Sequence, residues 1–256
     1  GFSDLAVINI DDQYGAKLLA QIDIPAVTVS RTGQADWRYE EVNKFNRGTS
    51  VKIRGRDGIL IEGTTKLLGD YNLDNLLMAV AIAVISGIDP IEISSNLHLY
   101  QGAPGRVEQI ELGQNFMAFV DYAHTPDAVI NVLQSARQFT SGKLIAVLGC
   151  GGDRDKSKRP LMGQALTLAD YPIFTSDNPR SEDANQILTE MTHGVSHNGE
   201  VISDRRTAIA RAVELAGAGD VVAVLGKGHE TGQEIKGEKF PFDDRKELIN
   251  AIAGRK

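Results

Sequence analysis

Residues 144–154 read LIAVLGCGGDR, an apolar run of strand length that ends in a glycine-rich loop. Two later segments repeat this arrangement, since residues 171–180 read YPIFTSDNPR and residues 221–230 read VVAVLGKGHE. Short apolar runs followed by turn residues are typical of buried strands in parallel sheets. Ligands of open α/β sheets bind at the carboxyl ends of the strands. We therefore expect the three loops to surround one crevice.

The order of the predicted elements around these loops gives the fold class. From residue 116 onward, predicted strands and helices alternate with short connections, which indicates a Rossmann-like, mostly parallel α/β sheet with helices on both faces. Before residue 102 the pattern differs, because strand segments there alternate apolar and polar side chains as hairpins do. The cluster Gly102-Ala103-Pro104-Gly105 separates the two patterns. We predict an α/β chain of two domains, residues 1–102 and 103–256.

Composition excludes several classes of protein. The chain has 256 residues, of which 42% are hydrophobic, so two domains can each bury a core. Its net charge of −7, without a long basic run, argues against nucleic acid as a partner. The single cysteine excludes an internal disulfide and suits a cytoplasmic protein. The longest apolar stretch is too short to span a bilayer, so no membrane partner is expected.

The loop of residues 149–154 combines flexible glycines with Arg154, whose side chain is long enough to reach a carboxylate or phosphate. The pattern is not a dinucleotide fingerprint, because Arg154 stands where the last glycine belongs. The alternative is an ordinary glycine-rich turn. We interpret Cys150 in this loop as a small packed thiol rather than a nucleophile.

The sharpest candidate is the loop Asp177-Asn178-Pro179-Arg180. Pro179 restricts the backbone, Asn178 offers a donor and an acceptor, and Arg180 presents a planar fork that suits a carboxylate. The alternative is an Asx turn with a solvated arginine.

The loop of residues 226–230 combines Gly226 with Glu230, an acceptor for an ammonium group. A P-loop is excluded, because Lys227 lacks the upstream G-x-x-x-x-G frame. The alternative is a turn with a surface glutamate.

Residues 121–126 read DYAHTP and lead from a predicted strand into a helix. Pro126 fits the first turn of that helix and Thr125 is able to cap it. A helix N-terminus favours anions, so Asp121 is a candidate for a ribose hydroxyl and His124 for a phosphate. The alternative is a capped turn with a surface histidine.

Asn72 and Asn75 lie one turn apart at a predicted helix start. Capping explains one of them, and a shared ligand explains both. Arg106 follows the cluster between the two domains. It is a ligand candidate or the partner of a salt bridge between the domains.

At these residues the chain resembles the Mur ligases of peptidoglycan synthesis. The three glycine- and arginine-bearing loops are specific in combination, whereas residues 121–127 are shared with folylpolyglutamate synthetases. The resemblance extends over nearly the whole chain. It implies that residues 1–102 form the second half of a central ATP-binding domain and that residues 103–256 form a C-terminal, amino-acid-binding ligase domain.

The resemblance implies an ATP-dependent, amide-forming ligase. ATP would phosphorylate a carboxylate of the UDP-linked muramoyl dipeptide, and the amine of meso-diaminopimelate would attack the acyl phosphate. Asn72 and Asn75 would contact adenine. Other parts of ATP would contact Arg106, Asp121 and His124, with His124 also the candidate catalytic residue. The incoming amino acid would contact Arg154, Asn178, Arg180, Gly226 and Glu230.

The family's P-loop and Mg²⁺ ligands are expected upstream of Gly1, so no metal ligand is assigned in this chain. We expect the chain alone to be inactive in ATP turnover and to be a monomer. A lysine-adding Mur ligase, a folylpolyglutamate synthetase-like ligase and a noncatalytic ligand-binding module remain alternatives.

Overall fold

The computed structural model describes residues 4–45, 48–100, 102–196 and 198–255. The chain divides into two compact units, Gly1–Gly102 and Ala103–Lys256. The division falls at the glycine- and proline-containing cluster of residues 102–105. Within the described ranges, none of the helices combines the length and the apolar character that a membrane crossing requires.

The first unit pairs one mixed sheet with a long helix. Its elements are β1 (Ala6–Asn9), α1 (Gln13–Leu19), β2 (Ala26–Ser30), β3 (Trp37–Phe45), β4 (Gly48–Arg54), β5 (Leu60–Thr65), α2 (Asp70–Ile85) and α3 (Pro90–Asn96). Among the described residues the sheet order is β1-β2-β3-β4-β5, parallel from β1 to β3 and antiparallel from β3 to β5. Leu73, Leu77 and Val80 of α2 belong to the same core cluster as Val29 and Ile53 of the sheet.

Helix α2 begins before Asn72, which the sequence pattern places at the start of a helix. Its N-cap is Gly69 and its first helical residue is Asp70, so neither Asn72 nor Asn75 caps it. The capping interpretation is therefore wrong. Gly69 has φ of +85°, a conformation that residues with a side chain rarely adopt. Because glycine occupies the N-cap position, that position lacks the Ser, Thr, Asp or Asn that usually indicates a helix start.

The second unit alternates strands and helices. Its elements are β6 (Glu108–Gln109), β7 (Met117–Asp121), α4 (Pro126–Arg137), β8 (Leu144–Cys150), α5 (Lys158–Leu166), β9 (Tyr171–Ser176), α6 (Ala184–Thr192), β10 (Glu200–Val201), α7 (Arg205–Leu215), β11 (Val221–Leu225), β12 (Gly232–Ile235), β13 (Glu238–Pro241) and α8 (Asp244–Gly254). Among the described residues the main sheet has the order β10-β9-β8-β11-β7-β6. Only its edge strand β6 runs antiparallel to its neighbour, and β12 and β13 form a separate hairpin.

This arrangement confirms the predicted mostly parallel α/β sheet. Alternate residues of the strands, such as Val222 and Val224 of β11, pack in one cluster with Ile209 of α7 and Leu248 of α8. Helices α4, α5 and α6 pack on one another and on β8, β9 and β11, and they form the other layer. Because β7, β8, β9 and β11 are parallel, the loops that follow them all leave the same edge of the sheet.

Candidate functional site

The loops after β7, β8, β9 and β11 surround a cavity of about 500 Å³. This volume lies in the range of small-molecule sites. The cavity lining includes His124 and the five residues predicted to bind an amino acid, namely Arg154, Asn178, Arg180, Gly226 and Glu230. The structure therefore brings together the three loops that the sequence predicts to converge.

A glycine at position 152 allows the loops after β8 and β9 to touch. A Cβ added at Gly152 would lie 1.9 Å from the carbonyl oxygen of Pro179, closer than any side chain permits. The amide of Gly152 donates to the carbonyl oxygen of Asn178 at 2.8 Å. In return, Nη1 of Arg180 donates to the carbonyl oxygen of Gly152 at 2.7 Å. The two loops are thus joined into one wall.

Arg180 is anchored on both its backbone and its side chain. Its φ of +50° is unusual for a residue with a Cβ, and such strain persists only where the surroundings fix it. Strand β12 and the residue after it do so. The amide of Arg180 donates to the carbonyl oxygen of Glu234 at 3.0 Å, and the carbonyl oxygen of Arg180 accepts from the amide of Lys236 at 2.6 Å. The side chain is 22% exposed and its Nε lies 3.4 Å from Oε2 of Glu234. The alternative of a solvated arginine is wrong.

Lys227 joins the second and third loops from beneath the cavity. Its side chain is 0% exposed, and Nζ lies 2.9 Å from Oδ1 of Asn178 and 3.1 Å from Oε2 of Glu230. A third acceptor, Oδ1 of Asp177, lies 3.6 Å away. The amide Nδ2 of Asn178 donates to Glu230 at 3.1 Å. The side chain of Glu230 keeps 35% exposure, but its carboxylate is bonded to both loops rather than free in solvent.

The surroundings of Glu230 keep its carboxylate charged. Burial raises its pKa, but the hydrogen bond from Asn178 and the nearby charges of Lys227 and Arg180 outweigh burial, so the net pKa lies below the usual range. An ionised carboxylate is an acceptor for ammonium groups and not a donor.

A buried arginine behind the first loop holds its shape. Arg159 of α5 is 2% exposed and donates to Glu182 at 2.8 and 3.0 Å and to Glu190 at 2.5 Å. Glu182 also accepts from the amide of Asp153 at 2.6 Å. The hydrogen bonds from Arg159 contribute most to a pKa of Glu182 well below its ordinary value. Glu182 thus ties the loop after β8 to α5.

The carboxylate of Asp121 accepts hydrogen bonds from the protein backbone. The residue is 2% exposed, and its two oxygens accept from the amides of Val107 at 2.8 Å and Ala123 at 2.7 Å. Asp121 therefore fixes the segment that carries Arg106. Its direct contact with ATP stays a prediction.

His124, Arg106 and His229 gather around the ring of Tyr122. The ring centroids of His124 and His229 lie 4.6 and 5.6 Å from that of Tyr122, and the guanidinium of Arg106 lies 5.3 Å away. Nδ1 of His124 is 2.8 Å from the carbonyl oxygen of Tyr122. A carbonyl oxygen only accepts, so Nδ1 carries a proton and donates in this contact.

Thr125 caps helix α4 as predicted, since its Oγ1 accepts from the amide of Ala128 at 3.3 Å. In the first unit, Asn72 is buried and its Nδ2 donates to the carbonyl oxygen of Leu68 at 2.9 Å, whereas Asn75 is exposed. The first unit thus leaves only one of the two amides open to solvent. Their contact with adenine stays a prediction.

Cys150 is a packed thiol, as predicted. It is 7% exposed, and burial, followed by the charge of Asp177, raises its pKa to about 12. In the described ranges there is no cluster of three or more His, Cys, Asp or Glu side chains arranged to hold a metal ion.

Sequence reasoning missed the buried cations Lys227 and Arg159. The one available signal for Lys227 was its position between two glycines directly after a buried strand. Nothing in the local sequence marks Arg159, because its partners lie 23 and 31 residues away.

Two family comparisons cover most of the chain. Residues 105–228 match the glutamate ligase domain of Mur ligases, and residues 1–83 match the Mur ligase middle domain. The chain belongs to the Mur ligase family. This confirms the resemblance that the loop residues indicate.

Named relatives of this Mur ligase chain are diaminopimelate ligases. The UDP-N-acetylmuramoyl-L-alanyl-D-glutamate--2,6-diaminopimelate ligase of Streptomyces coelicolor is 45% identical over 260 residues, covering 98% of this chain and 51% of the relative. The enzyme of the same name from Aquifex aeolicus is 42% identical over 255 residues, covering 98% and 52%. The chain spans about half the length of these relatives.

Solved structures of Mur ligases and their relatives share the fold. A UDP-N-acetylmuramoyl-L-alanyl-D-glutamate--2,6-diaminopimelate ligase structure matches with a TM-score of 0.70 at 39% identity, over 98% of this chain and 53% of that one. Folylpolyglutamate synthase of Mycobacterium tuberculosis matches with a TM-score of 0.67 at 18% identity, over 87% and 52%. At that identity the second likeness concerns the fold alone.

Proposed function

We propose that this chain supplies the amino-acid-binding part of an ATP-dependent ligase that joins meso-diaminopimelate to UDP-N-acetylmuramoyl-L-alanyl-D-glutamate. One observation carries the proposal: Arg180, Asn178 and Glu230 line a single cavity. The chain is also 40–45% identical to relatives named as diaminopimelate ligases.

The charged side chains of the cavity match the ammonium and carboxylate groups of an amino acid that carries a second carboxylate. The planar fork of Arg180 matches a distal carboxylate, and Arg154 adds a second cation at the opposite loop. Among the described residues, Asn178 and Lys227 both donate to Oε2 of Glu230, which leaves Oε1 to accept from an ammonium group. Lysine offers the ammonium but not the distal carboxylate, so we assign the site to diaminopimelate.

The remaining predicted residues serve ATP in this proposal. Arg106 and His124 contact the triphosphate, whose oxygens accept hydrogen bonds, while Asp121 holds the segment that carries Arg106. Asn72 and Asn75 keep their assignment to adenine. The described residues offer no fitting Mg²⁺ ligand set, so no step through the metal is assigned to them.

The chemical role of the cavity is to position a nucleophile. In the proposed reaction ATP phosphorylates the D-glutamate side-chain carboxylate and ADP leaves. The amine then attacks the acyl phosphate, and the amide forms with loss of phosphate and of a proton from the amine. Holding an amine in line with its target is worth about 7–11 kcal/mol at best. Rigid loops and charge-assisted hydrogen bonds are the means by which this chain contributes.

Calorimetric titration of the 256-residue chain with meso-diaminopimelate and, separately, with L-lysine tests the proposal. We expect saturable binding of diaminopimelate and at least ~10-fold weaker binding of lysine, because lysine lacks the group that Arg180 binds. Tighter binding of lysine would assign the site to a lysine-adding ligase. Binding of neither amino acid would refute the proposal.

A further inference from the structure

A fully buried ion pair lies under the site, outside the residues that line the cavity. Arg205 and Asp244 are the first residues of α7 and α8, and both side chains are 0% exposed. Nε of Arg205 donates to Oδ1 of Asp244 at 2.8 Å, and Nη2 donates to Oδ2 at 2.6 Å. The pair is thus bidentate and withdrawn from water.

The same guanidinium also binds the ends of two strands. Nη2 of Arg205 donates to the carbonyl oxygen of Leu225 at 2.8 Å, and Nη1 donates to that of Ser176 at 3.4 Å. Leu225 is the last residue of β11 and Ser176 is the last residue of β9. The next residues along the chain are Gly226 and Asp177, with which the third and second cavity loops begin.

A gain in folding stability does not by itself explain why this ion pair is fully buried. Removing two charges from water is costly, and replacing a buried pair with apolar side chains of similar volume is often neutral or stabilising. An apolar pair, however, cannot donate to the two strand-end carbonyls. The geometry points to Arg205 as a positioning residue, oriented by Asp244, that fixes the two loops so that Asn178, Arg180 and Glu230 meet around the ligand.

The inference rests on the proposed function for its ligand, but its structural part is testable without one. The double variant R205M/D244L removes the pair and fills its volume. The control R206M/E247L removes an ion pair between the same two helices, one that is 2.9 Å long with Arg206 67% exposed. Both variants are compared with the wild-type chain by thermal melting, by amide hydrogen exchange and by titration with meso-diaminopimelate.

For R205M/D244L we expect a cooperative melt near that of the wild type and faster exchange in segments 177–180 and 226–230. Affinity for diaminopimelate should fall about tenfold or more, because the loops must be ordered on binding. The control should leave loop exchange and affinity unchanged. Wild-type loop exchange and wild-type affinity in R205M/D244L would overturn the inference.

If R205M/D244L does not melt cooperatively, R205K replaces it, because a lysine keeps the charge but cannot reach Asp244 and both carbonyls together. If the wild-type chain binds no diaminopimelate, the proposed function fails, and loop exchange alone then decides whether Arg205 positions the loops.

Discussion

Nζ of Lys227 lies 2.9 Å from Oδ1 of Asn178, although the two residues are 49 positions apart in the chain. Oδ1 also accepts from the amide of Glu234 at 3.0 Å, so the acceptor end of the Asn178 amide is fully used. Nδ2 must then face Glu230, to which it donates. One buried ammonium therefore orients two of the side chains that we assign to the ligand, Asn178 and Glu230.

The variant K227M tests this role. It removes the cation between Asp177, Asn178 and Glu230 and leaves two carboxylates with too few partners. Breaking a buried ion pair from one side lowers the free energy of unfolding by about 3 kcal/mol. Affinity for diaminopimelate should fall at least ~10-fold, because Glu230 loses a charge-assisted bond. Urea unfolding and calorimetry measure the two effects.

The control for this variant is K246M, which changes an exposed lysine of α8. It should alter neither stability nor affinity. An unchanged affinity in K227M would show that Asn178 and Glu230 are oriented by other contacts.

Truncation of Arg180 should affect one ligand selectively. A charge-assisted hydrogen bond contributes about 1.5–3 kcal/mol, so R180A should weaken diaminopimelate binding by ~10- to ~150-fold. R180K should not restore it, because the planar fork is lost. Binding of L-lysine should change far less. Calorimetry with both ligands is the measurement, and R206A, at an exposed arginine of α7, is the control.

We expect Glu234 to compete with an incoming carboxylate for the guanidinium of Arg180. Its Oε2 lies 3.4 Å from Nε of Arg180, and its side chain is 44% exposed. An exposed ion pair is worth about 0.2–1 kcal/mol, so E234Q should tighten diaminopimelate binding by up to ~5-fold. L-Lysine binding should stay the same.

The matched control for E234Q is E238Q in β13, at an exposed glutamate. Weaker diaminopimelate binding in E234Q would mean that Glu234 supports Arg180 rather than competing with ligand. Competition between Glu234 and the ligand is also checked by repeating the measurement at two salt concentrations, because exposed ion pairs weaken with salt.

The thiol of Cys150 should be unreactive in the folded chain. Its pKa is raised to about 12, so the nucleophilic thiolate forms only well above neutral pH, and almost none is present at pH 8. Labelling with a disulfide reagent at pH 8 should be slow in the native chain and fast in urea. Because the sequence contains one cysteine, all signal comes from this position. Rapid stoichiometric labelling of the native chain would contradict the prediction.

The sequence predicted the elements that local patterns determine. The predicted apolar runs became β8, β9 and β11, and Thr125 capped α4, because both signals are contained in a few neighbouring residues. The predicted end of β8 was wrong, since the strand continues through Gly149 and Cys150, the first two residues of the predicted loop. Strand β6 has two residues, and the hairpin of β12 and β13 is largely exposed and polar, so neither has an apolar run to mark it.

The burial of charged side chains could not be predicted from the sequence, for a different reason. No local sequence pattern predicts that Arg205, Arg159 and Lys227 are buried, because such residues are rarely buried without partners. Their partners are supplied only by tertiary structure, from 39 residues away in the case of Arg205 and Asp244. Asp121 differs from these cations. The sequence predicts that it contacts a ligand, whereas in the structure its two carboxylate oxygens accept from backbone amides.

The strand order of the second unit determines which strands can pair before synthesis of the chain is complete. Strand β11 is synthesised after β7, β8, β9 and β10, yet it lies between β7 and β8. Until residue 225 has left the ribosome, β7 and β8 have no common neighbour and each presents an unpaired edge to other nascent chains. A premature stop codon before Val221 would therefore release an aggregation-prone product rather than a smaller working domain.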